Sequence, residues 1–302
     1  MQTPTFYHTT VLLKEAVDGL NIQPDGVYVD ATFGGGGHSR EILSRLGPKG
    51  KLFAFDHDAD AWRNKPDDAR LIPVTENFRY MRRFLRLHDH AQVNGILADL
   101  GVSSWQFDTA ERGFSTRFAG PLDMRMDNRM EKTAADVLRT YSEKELHRIF
   151  EQYGEVRNSR ELAKYITTHR GSSNLADIES LKSLITPIMK GNPAKYLAQL
   201  FQALRIEVNE ELEALREFLT SSPSCLKEGG RLSVISFHSL EDRLVKTFMK
   251  AGMWELTYNE FGQQTSPALL KPVNNKPIEP TEEEVNANPR SRSARLRVAE
   301  KL

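Results

Sequence analysis

Four polar groups in this chain fall where a run of apolar, strand-forming residues ends. Asp30 follows Val27-Tyr28-Val29, Asp56 follows Leu52-Phe53-Ala54-Phe55, Asp99 follows Gly95-Ile96-Leu97-Ala98, and His238 follows the run from Leu232 to Phe237. Open α/β sheets hold ligands outside the carboxyl ends of their strands, so these positions are candidates for chemistry. Between the first two acids lies Gly34-Gly35-Gly36-Gly37, followed by a helical run with Ile42, Leu43 and Leu46 on one face. A strand, a glycine turn and a helix together offer backbone N–H groups and a helix N-terminus to a ligand. An acid ending the next strand then sits where ribose hydroxyls are read. Tight turns also use glycine for backbone reasons alone. Four in a row between two strand-end acids favour a nucleoside cofactor.

The identity of that cofactor follows from what is missing. In the pyrophosphate-binding pattern G-x-G-x-x-G counted from Gly34, the sixth position is Ser39. Asp30, just before the loop, would repel a pyrophosphate. It suits a cationic group instead, such as the amino group or sulfonium of S-adenosylmethionine, so methyl transfer is favoured over hydride transfer. Asp99 alone reads equally as a turn residue ahead of Gly101-Val102-Ser103-Ser104. With three other polar strand ends converging, it becomes the candidate acceptor that holds an exocyclic amine in line with the methyl group. Methylation at cytosine C5 normally needs a cysteine nucleophile. The single cysteine, Cys225, precedes a Gly-Gly turn without a proline partner and reads as a small core residue. The Asp/Asn-Pro-Pro-Tyr run common in DNA amino-methyltransferases is absent, so the residues alone leave the target atom open.

The positioning elements alternate between helix and strand up to Asp108, with a weaker third strand at Leu71-Ile72-Pro73-Val74. Such alternation implies a doubly wound parallel sheet. From about Thr133 to Arg205 every segment has helical period. Ser142 and Glu145 form a capping box there, Asp177 caps a helix, and Gly191-Asn192-Pro193 breaks the chain. The sheet pattern then returns. The expected organisation is one α/β domain made of residues 1–108 and 208–302, interrupted by an all-helical insert at 109–207. Residues 262–289 read as a long surface connection, and the alternation around Leu296 and Val298 suits an edge strand.

Composition sets the remaining bounds. The chain has 302 residues, 41 Lys plus Arg against 41 Asp plus Glu, and a formal net charge of 0, so any nucleic-acid contact must rest on local patches. One cysteine excludes an intramolecular disulfide and suits a reducing compartment. Met1 to His8 carry no secretion pattern, and no apolar stretch approaches the roughly 18 residues of a membrane helix, so a cytoplasmic location without membrane contact is expected. His88-Asp89-His90 lacks a third ligand nearby, and no metal is expected. Arg79, Arg82, Arg83 and Arg86 form a helical stripe that reads as a solvated face. Arg112, Arg117, Arg125 and Arg129 interleave with Phe107, Phe114 and Phe118 at the start of the insert, as a grip on single-stranded RNA would. Ser239 and Asp242 suit a helix cap. His238 reads equally as a substrate contact or as packing.

At these residues the sequence resembles the RsmH (MraW) family of 16S rRNA cytosine-N4 methyltransferases. The resemblance runs nearly end to end: His8 to Leu13, Asp30-Ala31-Thr32-Phe33-Gly34-Gly35-Gly36-Gly37-His38-Ser39, Asp99 to Ser104, Arg112-Gly113-Phe114-Ser115, Gly120 to Asp127, Phe201 to Ile206, and Ser236-Phe237-His238-Ser239-Leu240-Glu241-Asp242-Arg243. Trp105 and Thr116 depart from it, where proline and an aromatic are usual. The resemblance implies a Rossmann-like class I methyltransferase sheet, with S-adenosylmethionine held at Gly36, Gly37, His38, Asp56, Phe78, Asp99 and Gln106. It implies as partner the 16S rRNA of the small ribosomal subunit, with a cytidine of the decoding centre as target. Arg112, Phe114, Arg125 and His238 are then the substrate candidates, and Asp30 and Gly34 join the cofactor set. Self-association into a homo-oligomer stays open. Two other readings stand beside this one: a nicotinamide oxidoreductase, which would keep Asp56 but want a complete phosphate loop, and a non-enzymatic RNA-binding protein.

Overall fold

The structure, a computed structural model, describes residues 10–251, 254, 259–261 and 268–302. His8 and Thr9 of the first motif, the Met1–His8 stretch and residues 262–267 of the expected surface connection lie outside the described residues. The chain divides into two compact units, Met1–Gly101 with Glu213–Leu302, and Val102–Leu212.

The first unit is built on seven strands: β1 (Val27–Asp30), β2 (Lys51–Phe55), β3 (Leu71–Val74), β4 (Val93–Asp99), β5 (Leu226–Ser236), β6 (Leu270–Pro272) and β7 (Arg295–Lys301). Their order is β3-β2-β1-β4-β5-β7-β6. The pairs among β1 to β5 are all parallel, and β7 runs antiparallel to both its neighbours. This order switches direction between β1 and β4, which brings the ends of both strands to the crevice where such sheets bind ligands. Pro73 is tolerated because β3 is an edge strand and spends no N–H there. The leading helix α1 (Leu13–Gly19) and the crossover helices α2 (Gly37–Arg45) and α3 (Met81–Leu87) cover the sheet. Ala16, Val17, Leu20, Ile42 and Leu43 pack with Leu296 and Val298 in one apolar layer, and Phe53, Phe55, Met81, Leu85 and Phe218 form the other.

The second unit holds α4 (Ser104–Asp108), α5 (Ala134–Thr140), α6 (Glu143–Gln152), α7 (Ser159–His169), α8 (Ile178–Ile185) and α9 (Pro193–Asn209). Their starts are written in short polar side chains. Capping boxes at Thr133/Asp136 and Ser142/Glu145, and caps at Asp177 and Asn192, satisfy N–H groups that the first turn leaves open. Leu146, Ile149, Phe150, Leu162, Ile166, Leu200 and Leu204 fill the core. The unit begins at 102 and ends at 212, not at 109 and 207. Side chains explain both offsets. Thr109 donates to the Trp105 carbonyl at 2.7 Å and Arg117 pairs with Asp108 at 3.0 Å, which ties α4 to the residues after it. The Asn209 amide donates to the Met124 carbonyl and accepts from the Met126 N–H, both at 2.7 Å, and Arg205 pairs with Glu211.

The chain then continues through α10 (Glu211–Cys225), α11 (Ser239–Ala251) and α12 (Glu282–Ala287). Two sequence expectations are corrected in this half. The supposed surface connection contains β6 and α12, and Glu284 of α12 accepts the Leu12 N–H at 2.8 Å. Strand β7 is not an edge. It lies between β5 and β6 with Leu296, Arg297, Val298 and Ala299 all buried, since Arg297 carries a counter-charge in Asp242. Among the described residues no helix is long and apolar enough to cross a membrane.

Candidate active site

The glycine loop links β1 to α2 under tight steric limits. Gly36 caps α2 in the left-handed region at φ 76°, and a Cβ there would also meet the Phe33 ring at 2.8 Å. A Cβ on Gly37 would overlap the Thr10 hydroxyl. Arg40 braces the loop by donating to the carbonyls of Gly35 (2.9 Å) and Asn64 (2.7 Å). Phe33 stacks on Trp62 with ring centroids 4.7 Å apart.

Asp30, Asp56 and Asp99 meet around this loop, and each is held differently. Asp30 is fully buried. Its Oδ2 accepts from the Ser39 hydroxyl at 2.6 Å and its Oδ1 from the Thr32 N–H at 3.1 Å. Burial pushes its pKa up to about 6, against the opposing pull of those two donors. Both of its oxygens are thus engaged by the loop and helix that follow β1. It fixes the loop and acts through its charge.

Asp56 accepts from the Gly34 N–H at 2.8 Å and from the Asp58 N–H at 2.9 Å, so the second strand end is tied to the glycine loop. Burial raises its pKa to about 7, and the charges of Asp58 and Asp30 add to that. Asp99 is fixed through its backbone, whose N–H donates to the Thr32 hydroxyl at 2.6 Å. Its Oδ2 lies 3.7 Å from His38 Nδ1, while its Oδ1 is buried without a hydrogen-bond partner among the described residues. Burial, then the charges of Asp30 and Glu241, hold this carboxyl well above the usual carboxylate range.

A buried acceptor left open, near Asp30 whose charge disfavours ionisation of both Asp56 and Asp99, is a site short of positive charge and of hydrogen-bond donors. A ligand bearing a cationic centre and hydroxyl groups fits that deficit. An anionic pyrophosphate would deepen it.

Glu241 was not singled out from sequence. It is buried, and it accepts from the N–H groups of Phe237 (2.8 Å) and His238 (3.3 Å) at the start of α11. Its Oε1 lies 3.2 Å from His238 Nε2. The expected Ser239–Asp242 cap is therefore corrected. His238 occupies the cap position, with Glu241 three residues on, a capping-box spacing that a search for Ser or Thr overlooks. Asp242 turns to Arg297 instead, at 2.7 and 3.1 Å. Among the other cofactor candidates, Phe78 is half-buried and meets Phe218 edge-on with centroids 5.2 Å apart.

Gln106, Arg112, Phe114 and Arg125 belong to the helical unit. The Gln106 carboxamide oxygen accepts the Ser103 N–H at 3.0 Å, closing the cap of α4. Phe114 is part of the helical core, and Arg112 is buried, donating to the carbonyls of Arg125 (3.0 Å) and Met126 (2.9 Å). Arg125 grips Asp123 at 2.7 and 2.8 Å, Arg129 grips Asp127, and Arg117 grips Asp108. Arg112 and Phe114 are thus engaged in the packing and hydrogen bonding of the fold, and Arg125 has its charge matched within its own loop.

The MraW methylase family profile matches residues 5–302. Over 300 residues the chain is 56% identical to the ribosomal RNA small subunit methyltransferase H of Bacteroides fragilis, covering 98% of each chain. It is 55% identical over 298 residues to the protein of that name from Bacteroides thetaiotaomicron, covering 98% of this chain and 97% of that one. With the one from Flavobacterium psychrophilum it shares 54% over 293 residues, 96% of this chain and 100% of the other.

Proposed function

The chain belongs to the MraW methylase family and is an S-adenosylmethionine-dependent methyltransferase; from that premise we propose that it methylates the exocyclic N4 amine of a cytidine in the decoding centre of 16S rRNA, in the cytoplasm. The dehydrogenase reading and the purely RNA-binding reading fall with the family membership. S-Adenosylmethionine supplies an electrophilic methyl group on a sulfonium. Asp56 accepts from ribose hydroxyls, since each carboxylate oxygen retains a lone pair beyond the N–H it already holds. The backbone at Gly34, Gly36 and Gly37, with His38 and Phe78, completes the binding set of the sheet unit.

Asp99 is the observation that carries the reading. Its Oδ1 is a buried acceptor without a partner among the described residues, at the carboxyl end of β4, on a carboxyl that holds a proton more readily than an ordinary one. It orients the cytosine amine by accepting one N–H, and it takes the proton that the nitrogen sheds once the new N–C bond has formed. The transfer is direct and in line, and proximity supplies most of the acceleration. A covalent route through cysteine has no support here, because Cys225 is fully buried and burial pushes its thiol pKa up. The target base must leave its stack, which costs a few kcal/mol. His238, half-buried beside Glu241, is the substrate candidate left in the sheet unit.

The test is mass spectrometry of 16S rRNA nucleosides from cells with and without the gene. Loss of N4-methylated cytidine at one position, restored by the wild-type gene, is the expected result. An unchanged nucleoside profile would refute the assignment.

A further inference from the structure

The arginine stripe Arg79, Arg82, Arg83 and Arg86 divides in the structure. Arg79, just before the helix, is spent on Glu217, with Nη2 2.6 Å from the carboxylate. Arg82, Arg83 and Arg86 are exposed, while Met81 and Leu85 are buried on the opposite side of the same helix. Among the described residues none of these three makes an ion pair. Arg82 and Arg86 lie near enough to act electrostatically on Cys225, two residues before Lys227. Lys227 acts in turn on His90, and its ammonium donates to Asn94 at 3.2 Å. Lys51 donates to His90 Nε2 at 3.1 Å, and His88 and His90 both pack edge-on against Phe53. Burial and then the Lys51 ammonium push the His90 pKa down, so this imidazole adds a neutral polar contact and not another charge.

The cations thus come from α3 and from the starts of β2 and β5, against exposed Asp89, two residues past α3, and exposed Glu228 in β5. In a chain whose formal net charge is 0, five cations with no carboxylate partner among the described residues form a local excess. Lys51 opens β2 and Asp56 follows its end, so this surface and the cofactor acids lie at opposite ends of one parallel sheet.

We propose that Arg82, Arg83, Arg86, Lys51 and Lys227 form a second RNA-binding surface, one that holds the phosphate backbone of the ribosomal RNA away from the methylation site. The proposal rests on the RNA substrate proposed above. Phosphate is the fitting partner because the groups are exposed point charges and forks. Contacts of this kind position a protein on RNA without reading sequence.

The experiment compares wild type with the triple variants Arg82→Gln/Arg83→Gln/Arg86→Gln and Arg82→Lys/Arg83→Lys/Arg86→Lys. Binding is measured to small-subunit particles from cells lacking the gene and to naked 16S rRNA, across a salt series. Each lost phosphate contact lowers the slope of log affinity against log salt by roughly 0.7–0.9. The Gln variant should therefore lose about 2–3 in slope and at least ~10-fold in affinity at low salt, on both probes. The Lys variant should retain most of both, and affinity for S-adenosylhomocysteine should be unchanged in all three proteins. An unchanged slope and affinity in the Gln variant would overturn the proposal. So would a loss confined to particles with naked rRNA binding intact, since that points to a ribosomal protein. Methylation of the particles by wild type, scored separately, tests the proposed function itself. Its failure would leave the salt slopes to judge the surface alone.

Discussion

Cofactor affinity should fall steeply in mild acid, and Asp56 sets the size of the effect. Its carboxyl moves from an ordinary 3.8 to about 7 in the folded protein, mainly through burial. At 1.36 kcal/mol per pH unit, the ionised form carries about 4 kcal/mol of unfavourable free energy in the empty site. The native state holds this proton more tightly than the unfolded chain. The contribution of Asp56 to stability is therefore present below about pH 4, declines between about 4 and 7, and is fully lost above. A hydroxyl donor or cationic ligand binds the ionised form and offsets that cost. With a folded pKa of about 7, the ionised fraction at pH 5 is about 1%, so the dissociation constant for S-adenosylmethionine should rise about 100-fold between pH 8 and pH 5. Asp30, at about 6, and Asp99, higher than the usual range, add to the slope in the same direction. Calorimetry in buffers of different ionisation enthalpy should show protons released on binding at pH 6 and fewer at pH 8. The ligand-induced rise in melting temperature should be larger at pH 8 than at pH 5, and Asp56→Ala should flatten part of the profile while weakening binding by roughly 1.5–3 kcal/mol. A dissociation constant that stays level from pH 5 to 8, with no proton release, would refute the account of the acids.

Three further outcomes follow from the geometry. Asp99→Asn should lower single-turnover methylation of small-subunit particles at least as much as it weakens S-adenosylhomocysteine binding, and full activity would show that another acceptor orients the amine. Asp242→Ala leaves Arg297 buried without its counter-charge, and chemical denaturation should report a loss of about 3–5 kcal/mol. In that case Asp242→Ala/Arg297→Met should recover much of the loss, whereas a single-variant effect under about 1 kcal/mol would count against the pair. Replacing residues 102–212 by a short Gly/Ser bridge should preserve partial binding of S-adenosylhomocysteine and abolish RNA methylation. A folded deletion protein that methylates particles at the normal rate would show that the helical unit has no part in substrate recognition.

The three acids were legible because each ends a short apolar run, and strand ends are where parallel sheets expose polar groups. What sequence could not separate was how each of them is held. Asp30 and Asp56 stand in the same local pattern, yet Ser39 and Thr32 seal the first, while the second takes its N–H donors from Gly34 and Asp58. That difference depends on where a side chain nine residues away points, a tertiary fact with no period to betray it. Glu241 was missed for a related reason. A buried glutamate reads as a surface residue until its partners, the N–H groups of Phe237 and His238, are seen to be otherwise unsatisfied.

The arginines mark the sharper limit. Interleaved with aromatics, Arg112, Arg125 and Arg129 have the composition of a nucleic-acid grip, but composition counts charge without asking whether it is already matched. In Asp68-Ala69-Arg70, Asp123-Met124-Arg125 and Asp127-Asn128-Arg129, the aspartate accepts the backbone N–H two residues on, at 2.9, 3.0 and 2.9 Å, and then binds that same residue's guanidinium. The turn brings the two side chains together at little further entropic cost, because the backbone bond has already fixed their spacing. An acid two residues before an arginine in a loop is therefore a sequence signal that the charge is spent locally. The arginines of α3 lack it: residues 80, 81 and 84 precede Arg82, Arg83 and Arg86 at that spacing, and they are Tyr, Met and Phe. That spacing accounts for Arg125 and Arg129 but not for Arg112, which donates to backbone carbonyls, or for Arg117 and Arg79, which pair with Asp108 and Glu217. A local acid is one of several ways a guanidinium is spent, and its absence before Arg82, Arg83 and Arg86 agrees with their exposure.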